Sequence, residues 1–277
     1  MEKSKLIKNF KKHINNNQTN FIEKNKKSVR IMTYNVNNWK NTDDEYTLKE
    51  IFNVIKNSDS DIVLLNEAIF FTNKTREDFD LIQEKSKYKY IEMCSTKFGI
   101  NIILSVFPIK EKKVICLGKD PIRKLNRYAI KASIDIGKTE DLNIILTHLD
   151  VFDETEDTRL KQIKMIYDNI DTKYIIIGDL NSLRKNDYNE DEWKKIEKND
   201  NLRNIELQNK VIDFIESKNF SDSFVSINKS IQVSVWSMRR VDYFYIGKDF
   251  SHKLIDSNIY YTDKSDHLPL YIDIETV

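Results

Sequence analysis

Ser265-Asp266-His267-Leu268-Pro269-Leu270, near the C-terminus, sets an acid and a histidine against the start of an apolar run. Four upstream sites place polar residues against apolar runs in a similar way. They are Tyr34-Asn35-Val36-Asn37, Asn66-Glu67, Thr147-His148-Leu149-Asp150 and Gly178-Asp179-Leu180-Asn181-Ser182. Each of these four closes a run that reads as a buried strand, at 29–35, 61–65, 142–148 and 173–179. Strand ends are where open α/β sheets place chemistry. Asn, Glu, His and Asp side chains gathered from such ends can converge on one divalent cation and one phosphate.

Outward from these sites the chain alternates helices with strands. Leu48, Ile51, Phe52 and Ile55 recur at helical spacing, as do Leu160, Ile163, Ile166 and Ile170. Polar helices are predicted near 75–87, 191–198 and 207–218. Between the second and third polar sites lies a block of strands at 88–94, 99–105, 109–117 and 127–136. Further strands follow at 241–246, 255–261 and 268–274. A hairpin-like block does not belong in a purely parallel doubly wound sheet. The pattern predicts an α/β fold with two mixed sheets packed face to face and helices outside.

The 277 residues can bury a large core. With 5 glycines and 3 prolines, no flexible interdomain linker is visible. The expected organisation is a polar extension at 1–28, partly helical, followed by one domain at 29–277. A net charge of +1 excludes a uniformly basic coat for nucleic acid, but the extension is locally rich in lysine. It is either a solvated segment or a weak anchor for a polyanion. The two cysteines, Cys94 and Cys116, have neither disulfide nor zinc spacing and are expected to be buried small hydrophobes. No signal peptide and no spanning apolar run is read, so an intracellular protein is expected, with no integral membrane association and no obligate protein partner.

Each motif has a bland alternative. Asp179 and Asn181 face one side of a strand, yet Gly-Asp-x-Asn is also good turn chemistry. Glu67 is either solvated or a ligand for a hard cation. Asn35 either caps a turn or supplies a neutral oxygen. Asp242, within Arg239-Arg240-Val241-Asp242-Tyr243, needs a partner inside an apolar strand. That partner is a histidine, whose tautomer it would fix, or Arg239 or Arg240. Trp236 is either core or a surface for stacking a base, and Arg239 and Arg240 are either solvated or meet phosphate. Of four histidines, His148 and His267 each stand beside carboxylate motifs.

Taken in order, Thr33-Tyr-Asn-Val, Asn66-Glu67, Gly99-Ile-Asn-Ile-Ile-Leu-Ser105, Thr147-His-Leu, Gly178-Asp-Leu-Asn, Arg240-Val-Asp-Tyr and Ser265-Asp-His-Leu-Pro resemble the endonuclease/exonuclease/phosphatase superfamily. That superfamily includes deoxyribonuclease I, apurinic endonucleases, neutral sphingomyelinases, deadenylases and tyrosyl-DNA phosphodiesterases. The resemblance spans about 29–274 and implies a four-layer sandwich of two mixed sheets flanked by helices. It implies metal-dependent phosphoester hydrolysis, with Mg²⁺ as cofactor and Mn²⁺ able to substitute. By resemblance, Glu67 is the main metal ligand with Asn35 and Asp266 near the metal. Asp179 and Asn181 handle water and phosphate, His267 pairs with Asp242, and His148 and Arg127 contact the scissile phosphate. The proton of the attacking water passes to Asp179 or to His267. One departure is Asn66, where the superfamily usually has glutamine. The leading expectation is a nuclease or a nucleic-acid-end phosphodiesterase. The alternatives are a lipid or small-molecule phosphoesterase and a catalytically silent binding module.

Overall fold

The computed structural model describes residues 3–18, 21–70, 72–96, 99–207 and 209–276. Residues 1, 2, 19 and 20 of the expected extension lie outside that range. Among the described residues, twelve strands form two mixed six-stranded sheets. The first sheet has the order β11-β12-β1-β2-β4-β3, and the second β5-β6-β7-β8-β10-β9. Their ranges are β1 Ser28–Asn35, β2 Ile62–Asn66, β3 Tyr90–Thr96, β4 Gly99–Ser105, β5 Ile109–Lys119 and β6 Asn126–Ile134. The others are β7 Leu142–His148, β8 Ile175–Asp179, β9 Phe220–Asp222, β10 Asp242–Gly247, β11 Lys253–Ile259 and β12 Leu270–Glu275. The helices are α1 Lys3–Asn17, α2 Leu48–Asn57, α3 Asn73–Glu84, α4 Asp157–Tyr167, α5 Glu190–Asn201, α6 Lys210–Ser217 and α7 Ser223–Ser226.

Each sheet is built around one parallel pair joined by a helical crossover. β1 pairs parallel with β2 across α2, and β7 pairs parallel with β8 across α4. These central strands are covered on both faces, which is why they read as continuous apolar runs. Ile31, Ile62 and Leu64 of the first sheet meet Ile144, Leu146, Ile175 and Ile177 of the second in the inter-sheet core. The opposite faces take the helices. Met32, Val63 and Leu65 pack with Leu48, Ile51, Ile55 and Phe79. Ile145 and Ile176 pack with Ile163, Ile166, Val211 and Ile215. The four layers expected from the sequence are therefore present.

The N-terminal segment carries α1, which buries Phe10 and Ile14 in the inter-sheet core. Some of its lysines are also engaged, since Lys24 holds Asp61 at 2.8 Å and Lys11 holds Asp43. The cysteine expectation needs one correction. Cys94 is buried, but Cys116 is exposed. Cys116 lies on the sheet-edge strand β5, where its neighbours Ile115 and Leu117 take the helix-covered face. Among the described residues no helix is long and apolar enough to cross a membrane.

Candidate active site

The sheet registers explain why distant motifs meet. Asn35 stands opposite Asn66 where β1 and β2 end. His148 stands opposite Asp179 where β7 and β8 end. Asp242 stands opposite Asp179 because β10 runs antiparallel and begins where β8 stops. All five therefore share one end of the sandwich, at the carboxyl ends of both parallel pairs. The loop before β12 adds Ser265, Asp266 and His267. Ser265 Oγ donates to Asn35 O at 2.8 Å, which ties that loop to β1.

Local backbone turns aim the side chains. Glu67 leaves β2 with φ 55°, and Asn181 leaves β8 with φ 47°. A left-handed φ is common for asparagine but strained for glutamate, and such strain gathers at functional sites. Gly178 has φ +127°, and a Cβ there would lie 2.1 Å from Thr147 O and 3.0 Å from Asn66 Oδ1. Asn66 fills the space that this glycine leaves. Its Nδ2 donates to Asn101 Oδ1 at 2.8 Å and to Thr147 O at 3.2 Å, and its Oδ1 accepts Asp179 N–H at 3.3 Å. Asn101 Nδ2 in turn donates to Tyr128 O at 3.0 Å. The residue that departs from the superfamily pattern thus joins the two sheets beneath the site. The sequence alone shows this role for neither Asn66 nor Asn101, although both stand inside the ordered motifs.

At the centre, Asn35 Nδ2 donates to Asp179 Oδ2 at 3.0 Å and to Glu67 Oε1 at 3.2 Å. Its own oxygen accepts Asn37 N–H at 3.0 Å, so Asn35 presents nitrogen, not oxygen, to the two carboxylates. His148 Nε2 lies 3.7 Å from both Glu67 Oε1 and Asp179 Oδ2. His267 Nε2 lies 3.8 Å from Asp179 Oδ2. On its other side, His267 Nδ1 meets Asp242 Oδ2 at 2.8 Å, and Ser234 Oγ donates to the same oxygen at 2.7 Å. Asp242 therefore pairs with a histidine. Arg239 is held by Asp200 at 2.6 and 2.9 Å. Arg240 is buried against Asp187 and Asp222. Asn181 N–H donates to Asp179 Oδ1 at 2.9 Å, while its amide reaches back to Leu149 O at 3.2 Å.

Burial of charge sets the electrostatics. Asp179 is pushed up to about 7, by burial first and then by the charge of Asp242. Burial pushes Asp266 up to about 6, with Glu67 and Asp242 adding to the effect. Burial opposes charge on His267, but Asp242, through charge and hydrogen bond, lifts it well above the ordinary histidine range. Burial holds His148 well below that range, with Arg127 and His267 adding to the push. Clustered acids of this kind suit a cation. Glu67, His148 and Asp179 each offer a ligand atom within 4.8 Å of the others, and so do Asp179, Asp242 and His267. Asp266 Oδ1 and Asn38 Oδ1 are buried without a hydrogen-bond partner among the described residues. A donor set dominated by hard oxygens fits magnesium or manganese.

Two outer residues complete the picture. Arg127 lies beside His148, with Nη1 3.4 Å from Nδ1. Both line a cavity of about 40 Å³ together with Asn101, Asp120, Arg123 and Phe152. Trp236 is half-buried, packs against the core, and carries Lys3 Nζ 5.5 Å from its ring centre. Its backbone N–H donates to Asp266 O at 2.8 Å.

No protein-family model and no curated protein matches the chain. Solved structures do. An endonuclease/exonuclease/phosphatase from Beutenbergia cavernae DSM 12333 is 18% identical at a TM-score of 0.69, covering 91% of this chain and 72% of that one. TDP2 from Caenorhabditis elegans is 16% identical at 0.61, covering 90% and 74%. A 3′ phosphatase, NExo, from Neisseria, bound to a product DNA hairpin, is 16% identical at 0.62, covering 89% and 99%. With two six-stranded mixed sheets in a four-layer sandwich, the chain has the fold of the endonuclease/exonuclease/phosphatase superfamily.

Proposed function

We propose that this chain is a divalent-metal-dependent phosphodiesterase that hydrolyses phosphoester bonds of nucleic acid by in-line attack of water. The observation that carries the reading is the buried Asp242–His267 pair. It faces Asp179 Oδ2 at 3.8 Å, while His148 Nε2 stands 3.7 Å from the same oxygen. A histidine locked to an acid and turned towards a second acid is a proton-handling arrangement. Glu67, braced by Asn35 and joined by Asp266, would hold Mg²⁺, with Mn²⁺ able to substitute, and the cation would polarise a phosphoryl oxygen and ease departure of the leaving oxygen.

The chain's own residues do the rest. Asp242 stabilises positive charge on His267 and fixes its ring. Asp179 and His267 form the pair through which the proton of the attacking water passes. Asn181, kept close by its bond to Asp179, and His148 contact the phosphoryl oxygens as charge develops. Arg127 adds positive charge beside His148. Nucleic acid as substrate is supported by the DNA product bound to the Neisseria phosphatase of the same fold.

One observation favours a second reading, a lipid phosphoesterase. Ile122 and Val151 are exposed on the turn and loop that border the cavity beside His148. The two readings separate in one experiment. Purified protein with Mg²⁺ is offered duplex and single-stranded DNA, RNA, 5′-tyrosyl DNA ends, sphingomyelin and bis-p-nitrophenyl phosphate. Hydrolysis of a nucleic-acid substrate that is lost in Glu67→Ala upholds the first reading. Hydrolysis of sphingomyelin alone replaces it with the second.

A further inference from the structure

The motif Thr147-His148-Leu149-Asp150 ends on an acid that the mechanism above leaves unused. Asp150 is fully buried. Its Oδ1 accepts Phe152 N–H at 2.8 Å, whereas Oδ2 has no hydrogen-bond partner among the described residues. Its backbone is fixed by α4, because Asp150 N–H donates to Gln162 Oε1 at 2.9 Å and Asp150 O accepts Arg159 Nη1 at 3.1 Å. Oδ2 faces Arg127, whose Nε lies 3.9 Å away. Another nitrogen of the same guanidinium, Nη1, lies 3.4 Å from His148 Nδ1. A guanidinium has only donors, so Nδ1 is the acceptor, and a neutral ring then carries its proton on Nε2. Nε2 is the nitrogen turned towards Glu67 and Asp179.

We propose that Asp150 is a positioning residue: through Arg127 it holds His148 as the Nε2–H tautomer, so that His148 donates a hydrogen bond to a phosphoryl oxygen and does not ligate the cation. The identity of that acceptor rests on the phosphodiesterase reading, but the tautomer does not. A protonated Nε2 has no lone pair in the ring plane to offer a metal. Of the groups able to gather around a cation at this site, His148 is thereby reserved for substrate. The carboxylate sets the guanidinium, and the guanidinium sets the ring. Loss of this outer support should lower activity by about the 10–100-fold that follows removal of the partners that orient metal-ligating histidines.

The test reads the tautomer directly. Full-length protein labelled with ¹⁵N-histidine is observed by long-range ¹H–¹⁵N correlation near neutral pH, with and without Mg²⁺. His148 in the unaltered protein should carry its proton on Nε2 in both conditions. In Asp150→Asn, and in Arg127→Met, that single signature should give way to a mixture or to the Nδ1–H form, and kcat of Asp150→Asn should fall about 10–100-fold. Arg127 is partly exposed, so its variant carries the test should Asp150→Asn fail to fold. A proton on Nδ1 in the unaltered protein overturns the proposal, as does an unchanged Nε2–H signature in the variants. Loss of the signature in a protein that hydrolyses no phosphodiester upholds the positioning role and removes the phosphodiesterase reading instead.

Discussion

Asp242 and His267 form the contact on which the proposed chemistry turns, and both are buried. Residues that act as a unit fail together. Asp242→Ala and His267→Ala are each expected to lower kcat about 10²–10⁴-fold, the range for a lost proton-handling group. The double variant should be little worse than the worse single one, and independent multiplication of the two losses would contradict the pairing. A second expectation concerns stability without metal. Asp179 is raised to about 7 and Asp266 to about 6, both above the ordinary carboxylate range. A raised carboxylate is tolerated while protonated, so its contribution is fully present below the unfolded-state pKa, near 4. That contribution is lost as pH rises through 6 and 7. In EDTA, therefore, the unaltered protein should lose stability relative to Asp179→Asn as pH rises from 5 to 8. Thermal unfolding of the two across that range checks it, and parallel pH curves would contradict it.

At the scale of elements, α1 is joined to the sandwich by its apolar side. Phe10 is wholly buried in the inter-sheet core, so Phe10→Ala should cost about 3–5 kcal/mol, read by urea unfolding. A loss below about 1 kcal/mol would mean that the helix is not docked. The central strands were legible in sequence because burial on both faces leaves an unbroken apolar run, as in Ile175-Ile176-Ile177. β9 was missed because it has only three residues, too few for any period to show. Glu67, Asp179, His148, Asp242 and His267 are legible as a set through the ordered motifs; the registers align His148, Asp179 and Asp242, and the turn after β2 and the loop before β12 add Glu67 and His267. What could not be read is side-chain pairing between segments distant in sequence. Sequence allows Arg239 a phosphate contact, but Asp200, from a polar helix with no motif, holds it. Likewise the bond from Asn66 to Asn101 depends on the order of strands across a sheet, which periodicity does not encode.

At the scale of the molecule, the two parallel pairs end at one edge of the sandwich and are coupled beneath the site by Asn66. The acids collected there repel one another, and under the proposed function a cation would join them. Mg²⁺ at about 100 times its Kd should stabilise the unaltered protein by about 2.7 kcal/mol. For a chain of this size that corresponds to a rise in Tm of roughly 4–5 °C. Glu67→Ala should show no such rise, and an equal rise would place the cation elsewhere. The central claim, that this edge is a metal-dependent phosphodiester-hydrolysing site, is tested most directly by turnover of DNA and of bis-p-nitrophenyl phosphate with Mg²⁺ or with EDTA, in the unaltered protein and in His267→Ala. The account predicts hydrolysis with Mg²⁺, none in EDTA, and a severe loss in the variant. Undiminished hydrolysis in EDTA or in His267→Ala would contradict it.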